Sequence, residues 1–221
     1  DFFQSFIALE RELCPSTIQI SHSIQTNGMA LDGDWVRFFQ ENRFLVGLSL
    51  DGSREIHDRF RVDARVRQEV IAIDRAAKTV TIRKLDDGET YVESYDKLVL
   101  TRSLALLDKA GVETNLLCVI TGPLARSAQK VYHSLNKLGS HALQFIPCLD
   151  PLEGERGCMP WSLTPQRYSQ FLRDLFDCWY LDLQRGHYVS IRLFDDYLRI
   201  LAGMPPSTCA AAGACGSYLV V

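Results

Sequence analysis

Part of a (β/α)6 barrel, an α/β fold, is the architecture that this 221-residue sequence predicts. Two observations carry that expectation and a third qualifies it. Short apolar runs of strand length alternate with longer stretches in which apolar residues recur at helical spacing. The run Phe44–Leu50 is apolar almost without interruption, as in a parallel strand covered on both faces, and polar residues cluster where it ends. Residues 64–101, by contrast, alternate polar and apolar positions as half-exposed antiparallel strands do, which reads as an inserted β-meander. The expected divisions are 1–63 and 102–203 for the barrel and the helices after it, 64–101 for the insert, and 204–221 for a terminal region bearing cysteines.

The first 14 residues carry Phe2, Phe3, Phe6, Leu9 and Leu13 on one side of an amphipathic helix, closed by Cys14-Pro15. The pattern begins at once, with no lead-in, which suggests a fragment. A strand is expected over Ile18–Gln25, opening into the turn Thr26-Asn27-Gly28, where glycine permits positive φ. Asp32 or Asp34 caps the next helix, whose Trp35, Phe38 and Phe39 share a face. After the strand Phe44–Leu50 come Asp51 and Gly52. Ligands of α/β barrels and open α/β sheets bind at the carboxyl ends of parallel strands, so Gln25, Thr26, Asn27, Ser49 and Asp51 are the first candidates for a site. The alternative is that these residues only cap and turn.

Within the insert, strands are expected around Val70–Ile73, Thr79–Arg83 and Thr90–Val92, with Asp86-Asp87-Gly88 as a hairpin turn and Lys97–Leu100 as a last apolar strand. Its Arg and Lys side chains fit the solvated face of a small sheet. The α/β rhythm then returns: a helix over 103–110 stopped by Gly111, a strand over 112–120 ending in Thr121-Gly122-Pro123, a helix through Val131 and Leu135, and a strand over 142–146. Thr164 and Pro165 open a long helix with Tyr168, Phe171, Leu172, Leu175, Phe176, Trp179 and Leu183 at helical spacing, a core stripe. A strand over 188–193, a short helix over 194–201 and a Gly-Met-Pro-Pro linker lead to Cys209 and Cys215.

Composition bounds the function without choosing it. A chain with 47% hydrophobic residues can bury one good core, and a net charge of −3 offers no basis for a nucleic-acid partner. No apolar run approaches the ~20 residues that span a bilayer, and a cytoplasmic location is expected. Seven cysteines, an odd number at irregular spacings, favour reduced thiols or metal ligands over a disulfide framework. Five residues, mostly Ala and Gly, separate Cys209 from Cys215, so two thiolates can converge on a soft metal centre. The spacing fits ordinary loop thiols as well. Cys118, Cys148 and Cys178 read as structural thiols, and an adjacent His57-Asp58 pair points its side chains in different directions, with no nucleophile beside it. No GxGxxG turn occurs, so FAD binding is not expected.

The strings SIQTNG, FLVGLSLDG and REIHDRFR, followed downstream by GVETNLLCVIT, LQFIPCLDPLE, FLRDLFDCWY, VSIRLFDDYL and CAAAGACGSYLVV, resemble anaerobic sulfatase-maturing enzymes. These are radical S-adenosylmethionine proteins that oxidise a sulfatase cysteine or serine to formylglycine. The resemblance covers about 1–63 and 102–221, whereas EVIAIDRAAKTVTIRKLDDGETYVESYDKLVLT is similar to the central segment of FAD-dependent disulfide oxidoreductases of the coenzyme A disulfide reductase type. It implies a partial radical S-adenosylmethionine barrel and the start of an iron–sulfur domain. Ser49, Arg61 and Leu149 would contact S-adenosylmethionine, Gln25 and Asn27 would line the same cavity, and Cys209 and Cys215 would be the first ligands of an auxiliary 4Fe–4S cluster. The partner would be a sulfatase polypeptide. The CxxxCxxC loop of the family does not occur among residues 1–221, so the chain as written is expected to be inactive. A non-catalytic mosaic is the alternative reading and a fragment of a flavin oxidoreductase the third. An exposed strand edge of an incomplete barrel would favour self-association.

Overall fold

The computed structural model describes residues 2–50, 68–74, 79–84, 89–153 and 155–213. Helix α1 (Phe2–Leu13) buries Ile7, and its aromatic face meets the next unit edge-on, Phe3 against Trp35 and Phe6 against His22. Strand β1 (Ser23–Thr26) leads to helix α2 (Gly33–Glu41), and β2 (Leu45–Leu50) follows. Asp32 is the cap of α2: its carboxylate accepts from the amides of Asp34 and Trp35, satisfying donors that have no partner inside the helix. The expected strand from Ile18 is shorter than its apolar pattern. Residues 18–22 carry no ladder, and β1 pairs on one side only, with β2, over four positions.

Strands β3 (Gln68–Asp74), β4 (Thr79–Lys84) and β5 (Thr90–Ser94) form a separate antiparallel sheet in sequential order, the meander that alternation predicts. The hairpin turn Asp86-Asp87-Gly88 lies outside the described residues. The last expected strand is not one. Lys97–Leu100 belongs to helix α3, which runs unbroken from Tyr95 to Lys109 across the expected boundary at 101/102. Leu100, Leu104 and Leu107 stand at helical spacing with no glycine or proline between them, so the run continues a helical stripe. Gly111, at φ +67, ends α3, and the Val112 amide bonds back to the Leu107 carbonyl at 3.0 Å.

Strand β6 (Thr114–Ile120), a 3-10 turn (Leu124–Arg126), helix α4 (Ala128–Asn136) and strand β7 (Ala142–Pro147) complete two more βα steps. Helix α5 (Pro165–Gln184) starts on the Thr164 hydroxyl, which accepts from the Arg167 amide. Strand β8 is only Ser190–Ile191, because Arg192 and Leu193, expected to extend it, already belong to helix α6 (Arg192–Leu201). A short helix α7 (Cys209–Ala212) follows.

The main sheet has the order β1-β2-β6-β7-β8, wholly parallel and sequential apart from the insert, as in an incomplete α/β barrel. Its register sorts the side chains. Val46, Leu48, Leu116, Cys118, Ile120, Leu143, Phe145 and Ile191 face the helices and are buried with Phe39, Leu107, Tyr132, Phe171 and Trp179. The stripe on α5 is only partly core. Phe171, Leu175 and Trp179 are buried, whereas Phe176, Tyr180 and Leu183 are exposed.

Candidate functional site

The opposite face of the sheet is mixed, with amides and hydroxyls beside Leu117, Val119 and Ile146. Cross-strand register aligns Gln25 with Gly47 and Gly47 with Asn115, and in the next layer Ser49 with Leu117 and Leu117 with Gln144. This is the inner wall of a partial barrel. A parallel sheet that is apolar on its helix side and carries amides and hydroxyls on the other has a lumen suited to a polar ligand. Gly47 lets Leu117 pack against the wall: a Cβ there would lie 2.5 Å from Leu117 Cδ1 and 3.4 Å from Gln25 Cγ. Asn115 donates through Nδ2 to Gln144 Oε1 at 3.2 Å, and Arg192 donates to the same oxygen at 3.4 Å. Asn115 is 8% exposed, and its Oδ1 is buried with no hydrogen-bond partner among the described residues.

At the carboxyl ends of the strands, the loop after β7 folds over β6. The Cys148 amide extends the ladder to the Ile120 carbonyl, and the Gly122 amide bonds the Trp161 carbonyl, both at 2.9 Å. Gly122 abuts the Ser162 carbonyl so closely that a Cβ would lie 2.2 Å from it. Asp150 ties the loop to itself by accepting from the Ser162 hydroxyl and, at 2.7 Å, from the Gly157 amide. Those two bonds, Ser162 first, hold its carboxyl below the ordinary range. Burial, helped by Asp150, pushes the Cys148 thiol up, which suits a structural thiol better than a nucleophile.

Gln25 and Ser49 lie on the lumen face, as their places at the strand tips suggest, Gln25 exposed and Ser49 half-buried. Asn27 and Thr26 make the turn: Asn27 Oδ1 accepts from the Met29 amide and Thr26 Oγ1 from the Gly28 amide, each at 3.1 Å. Ser103 on α3 fixes that turn by donating to the Gly28 carbonyl at 2.8 Å. Leu149 is 81% exposed in the loop over the strand tips. Arg61, Asp51, His57, Asp58 and Cys215 lie outside the described residues. Asn115, Gln144 and Arg192 escaped the sequence reading. The first two sit inside strands, away from the tips where ligands bind in such folds, and Arg192 falls within an expected strand. The sequence carries a signal at two of them: Gln144 and Arg192 each stand between apolar neighbours, whereas Asn115 follows Glu113 and Thr114 at the polar start of its strand.

Cys209 is half-buried at the first position of α7. The segment before it is fastened by Asp196, a buried carboxylate on α6 that accepts from the amides and hydroxyls of both Ser207 and Thr208. Burial alone would raise the Asp196 carboxyl, but these four donors, Thr208 first, hold it below the ordinary value. Among the described residues no three His, Cys, Asp or Glu side chains converge on a metal position.

Fold and site together define a parallel α/β partial barrel with amides and hydroxyls on its lumen face. No family model matches the sequence. Along its whole length the chain is 38% identical to a cysteine-type anaerobic sulfatase-maturating enzyme of Clostridium novyi, and it is 27% identical over 220 residues to a serine-type enzyme of Klebsiella aerogenes. It covers 52% and 47% of those proteins, so it spans about half the length of the curated relatives it matches. A solved structure of native anSMEcpe with bound AdoMet and Cp18Cys peptide superposes with a TM-score of 0.74 at 38% identity, over 97% of this chain and 52% of that one. The aligned range includes residues 64–101, and the likeness of that segment to flavin enzymes gains no support. No helix among the described residues is long and apolar enough to cross a membrane.

Proposed function

We propose that this chain is the S-adenosylmethionine-binding and substrate-binding part of an anaerobic sulfatase-maturing enzyme, one that converts a sulfatase cysteine or serine to formylglycine. The observation that carries the reading is the set of polar side chains Gln25, Ser49, Asn115 and Gln144 on one face of the parallel sheet, in a chain alike over its full length to such enzymes. The donor set on this wall, the Ser49 hydroxyl with the amides of Gln25 and Gln144, fits the polar groups of an adenosine moiety. Ser49 supplies a hydroxyl for the ribose, Arg61 a guanidinium for polar oxygens, and Leu149 an apolar surface for adenine. Gln25 and Asn27 line the same cavity. S-adenosylmethionine and a 4Fe–4S cluster would together supply the radical chemistry of such an enzyme. The protein's own part is to hold the nucleoside against the strand tips and keep water out with the 148–162 loop. Cys209 and Cys215 would contribute two thiolates to an auxiliary 4Fe–4S cluster whose other ligands lie beyond residues 1–221, in a cytoplasmic enzyme.

Titration calorimetry tests the reading. Saturable binding of S-adenosylmethionine, weakened by about tenfold or more in Ser49→Ala, is expected for loss of one buried hydrogen bond to a ligand. A chain that binds no S-adenosylmethionine, or binds it equally well without the Ser49 hydroxyl, overturns the assignment. That result would leave a non-catalytic α/β mosaic as the better account.

A further inference from the structure

Arg192 occupies an unusual position at the carboxyl end of β8. It is half-buried, it donates one weak bond to Gln144 Oε1 at 3.4 Å, and no carboxylate lies within ion-pair distance of it among the described residues. The same oxygen already accepts from Asn115 at 3.2 Å, so Gln144 offers no further lone pair and the guanidinium keeps most of its fork unused. Arg192 is also the first residue of the ten-residue helix α6, whose start at Ile191 has no side-chain cap. The first turn already carries a carboxylate, Asp195, so the preference for an anion here rests on the guanidinium. A second, independent observation sits beside it. Asn115 is buried and its Oδ1 has no donor, although an orphaned acceptor costs its desolvation unless a partner arrives.

We propose that Arg192, set by Gln144 and Asn115, is a specificity subsite that takes an acidic residue of the polypeptide substrate, with the carboxylate on Arg192. This rests on the functional reading above. From Ser49 to Arg192 the wall crosses three strand intervals, roughly 14 Å at about 4.8 Å each. A nucleoside at Ser49 and a peptide segment at Arg192 therefore fit side by side. A planar fork matches a carboxylate bidentately, which a lysine cannot do. The methionyl end of S-adenosylmethionine also carries a carboxylate. In the proposed enzyme a cluster would take up that end, which would leave the substrate as the source.

Fluorescence anisotropy with short, cysteine-centred, fluorescein-labelled peptides tests this, each peptide carrying one Glu at a scanned position or its Gln isostere. The expected result is one position at which Glu binds the unaltered chain about tenfold tighter than Gln. Arg192→Gln should level the two, Arg192→Lys should keep part of the preference, and Gln144→Leu should weaken it without changing any charge. Comparing Glu and Gln peptides on the unaltered chain needs no variant to fold. No preference at any position, or a preference that survives Arg192→Gln, overturns the subsite while leaving S-adenosylmethionine binding intact. Loss of S-adenosylmethionine affinity in Arg192→Gln with the peptide preference unchanged also overturns it, by assigning the carboxylate to the cofactor. If the unaltered chain binds neither probe, the subsite and the functional reading fail together.

Discussion

Gly47 and Leu117 face each other across β2 and β6 with no room between them for one more carbon: a Cβ on Gly47 would stand 2.5 Å from Leu117 Cδ1. The obstacle is the far end of a flexible side chain, so Leu117 can turn away, and it can turn only toward the lumen. Gly47→Ala is expected to destabilise the fold by roughly 1–3 kcal/mol through overpacking. It should also narrow the nucleoside space. Urea unfolding measures the first effect and calorimetry with S-adenosylmethionine the second; unchanged stability and unchanged affinity together would show that the wall is not tightly packed here.

Gly122 presents the opposite case, because its obstacle is backbone. The Ser162 carbonyl lies 2.2 Å from where a Cβ would be, and it is held in a loop braced by Asp150 and by the Gly122–Trp161 bond. A methyl group there should lift the 148–162 loop from the strand tips. Gly122→Ala is expected to speed limited proteolysis within residues 150–162 severalfold, with little change in cleavage elsewhere. Equal rates in the two proteins would argue that the loop does not depend on this contact.

Asp196 makes a pH prediction. Its carboxyl is held below the ordinary value of 3.8 by donors from Ser207 and Thr208. The unfolded chain therefore takes up the proton first as pH falls. The stabilisation is complete well above pH 3.8 and is lost as pH drops through that value toward the lower folded one. Asp196→Asn, which cannot carry the charge, should lower the unfolding midpoint at neutral pH and flatten the acid dependence. Asp196→Ala leaves four donors without an acceptor and should cost about 3 kcal/mol. An acid limb of the stability curve that is unchanged in Asp196→Asn would place the effect on other carboxylates, Asp150 first.

Much of this fold was legible because local chemistry and global packing agree. Asp32 and Thr164 cap where a short acceptor precedes a helical stripe, and Gly111 ends a helix where its left-handed conformation lets the chain turn. Where the sequence misled, a short apolar run was compatible with two periods. Lys97–Leu100 reads as a strand in isolation and as a helix once Leu104 and Leu107 are counted, and Arg192-Leu193 reads as strand until the chain is seen to turn after Ile191. Gln25 and Ser49 were found because strand tips are where ligands bind in such folds. Asn115 and Gln144 were not, since which face of a buried parallel strand meets the lumen depends on neighbours in the sheet, not on the strand's own pattern.

The ends of the main sheet bear on association. Among the described residues, strand β1 pairs only with β2, and β8 is two residues long, so each end of the parallel sheet leaves backbone groups without a described ladder partner. Residues 1–221 alone are expected to self-associate with rising concentration, and sedimentation velocity over a hundredfold range should show a shift toward larger species. A single sharp monomer boundary at the top of that range would show that the strand edges are covered.

The final prediction separates binding from turnover. Reductive cleavage of S-adenosylmethionine needs an electron from a 4Fe–4S cluster held by thiolates, and thiolate charge and geometry set both cluster assembly and potential. Residues 1–221 contain seven cysteines and no CxxxCxxC, and among the described residues Cys118 and Cys178 are buried while Cys14, Cys148, Cys158 and Cys209 do not gather with other ligands into a metal position. A polypeptide of these residues, reconstituted anaerobically with iron and sulfide and then given dithionite and S-adenosylmethionine, is expected to bind the nucleoside without cleaving it. 5′-Deoxyadenosine above a protein-free control would sink that expectation. It would require thiols that pack as structural groups, Cys148 foremost because it stands at a strand tip beside Leu149, to leave their places and ligate iron.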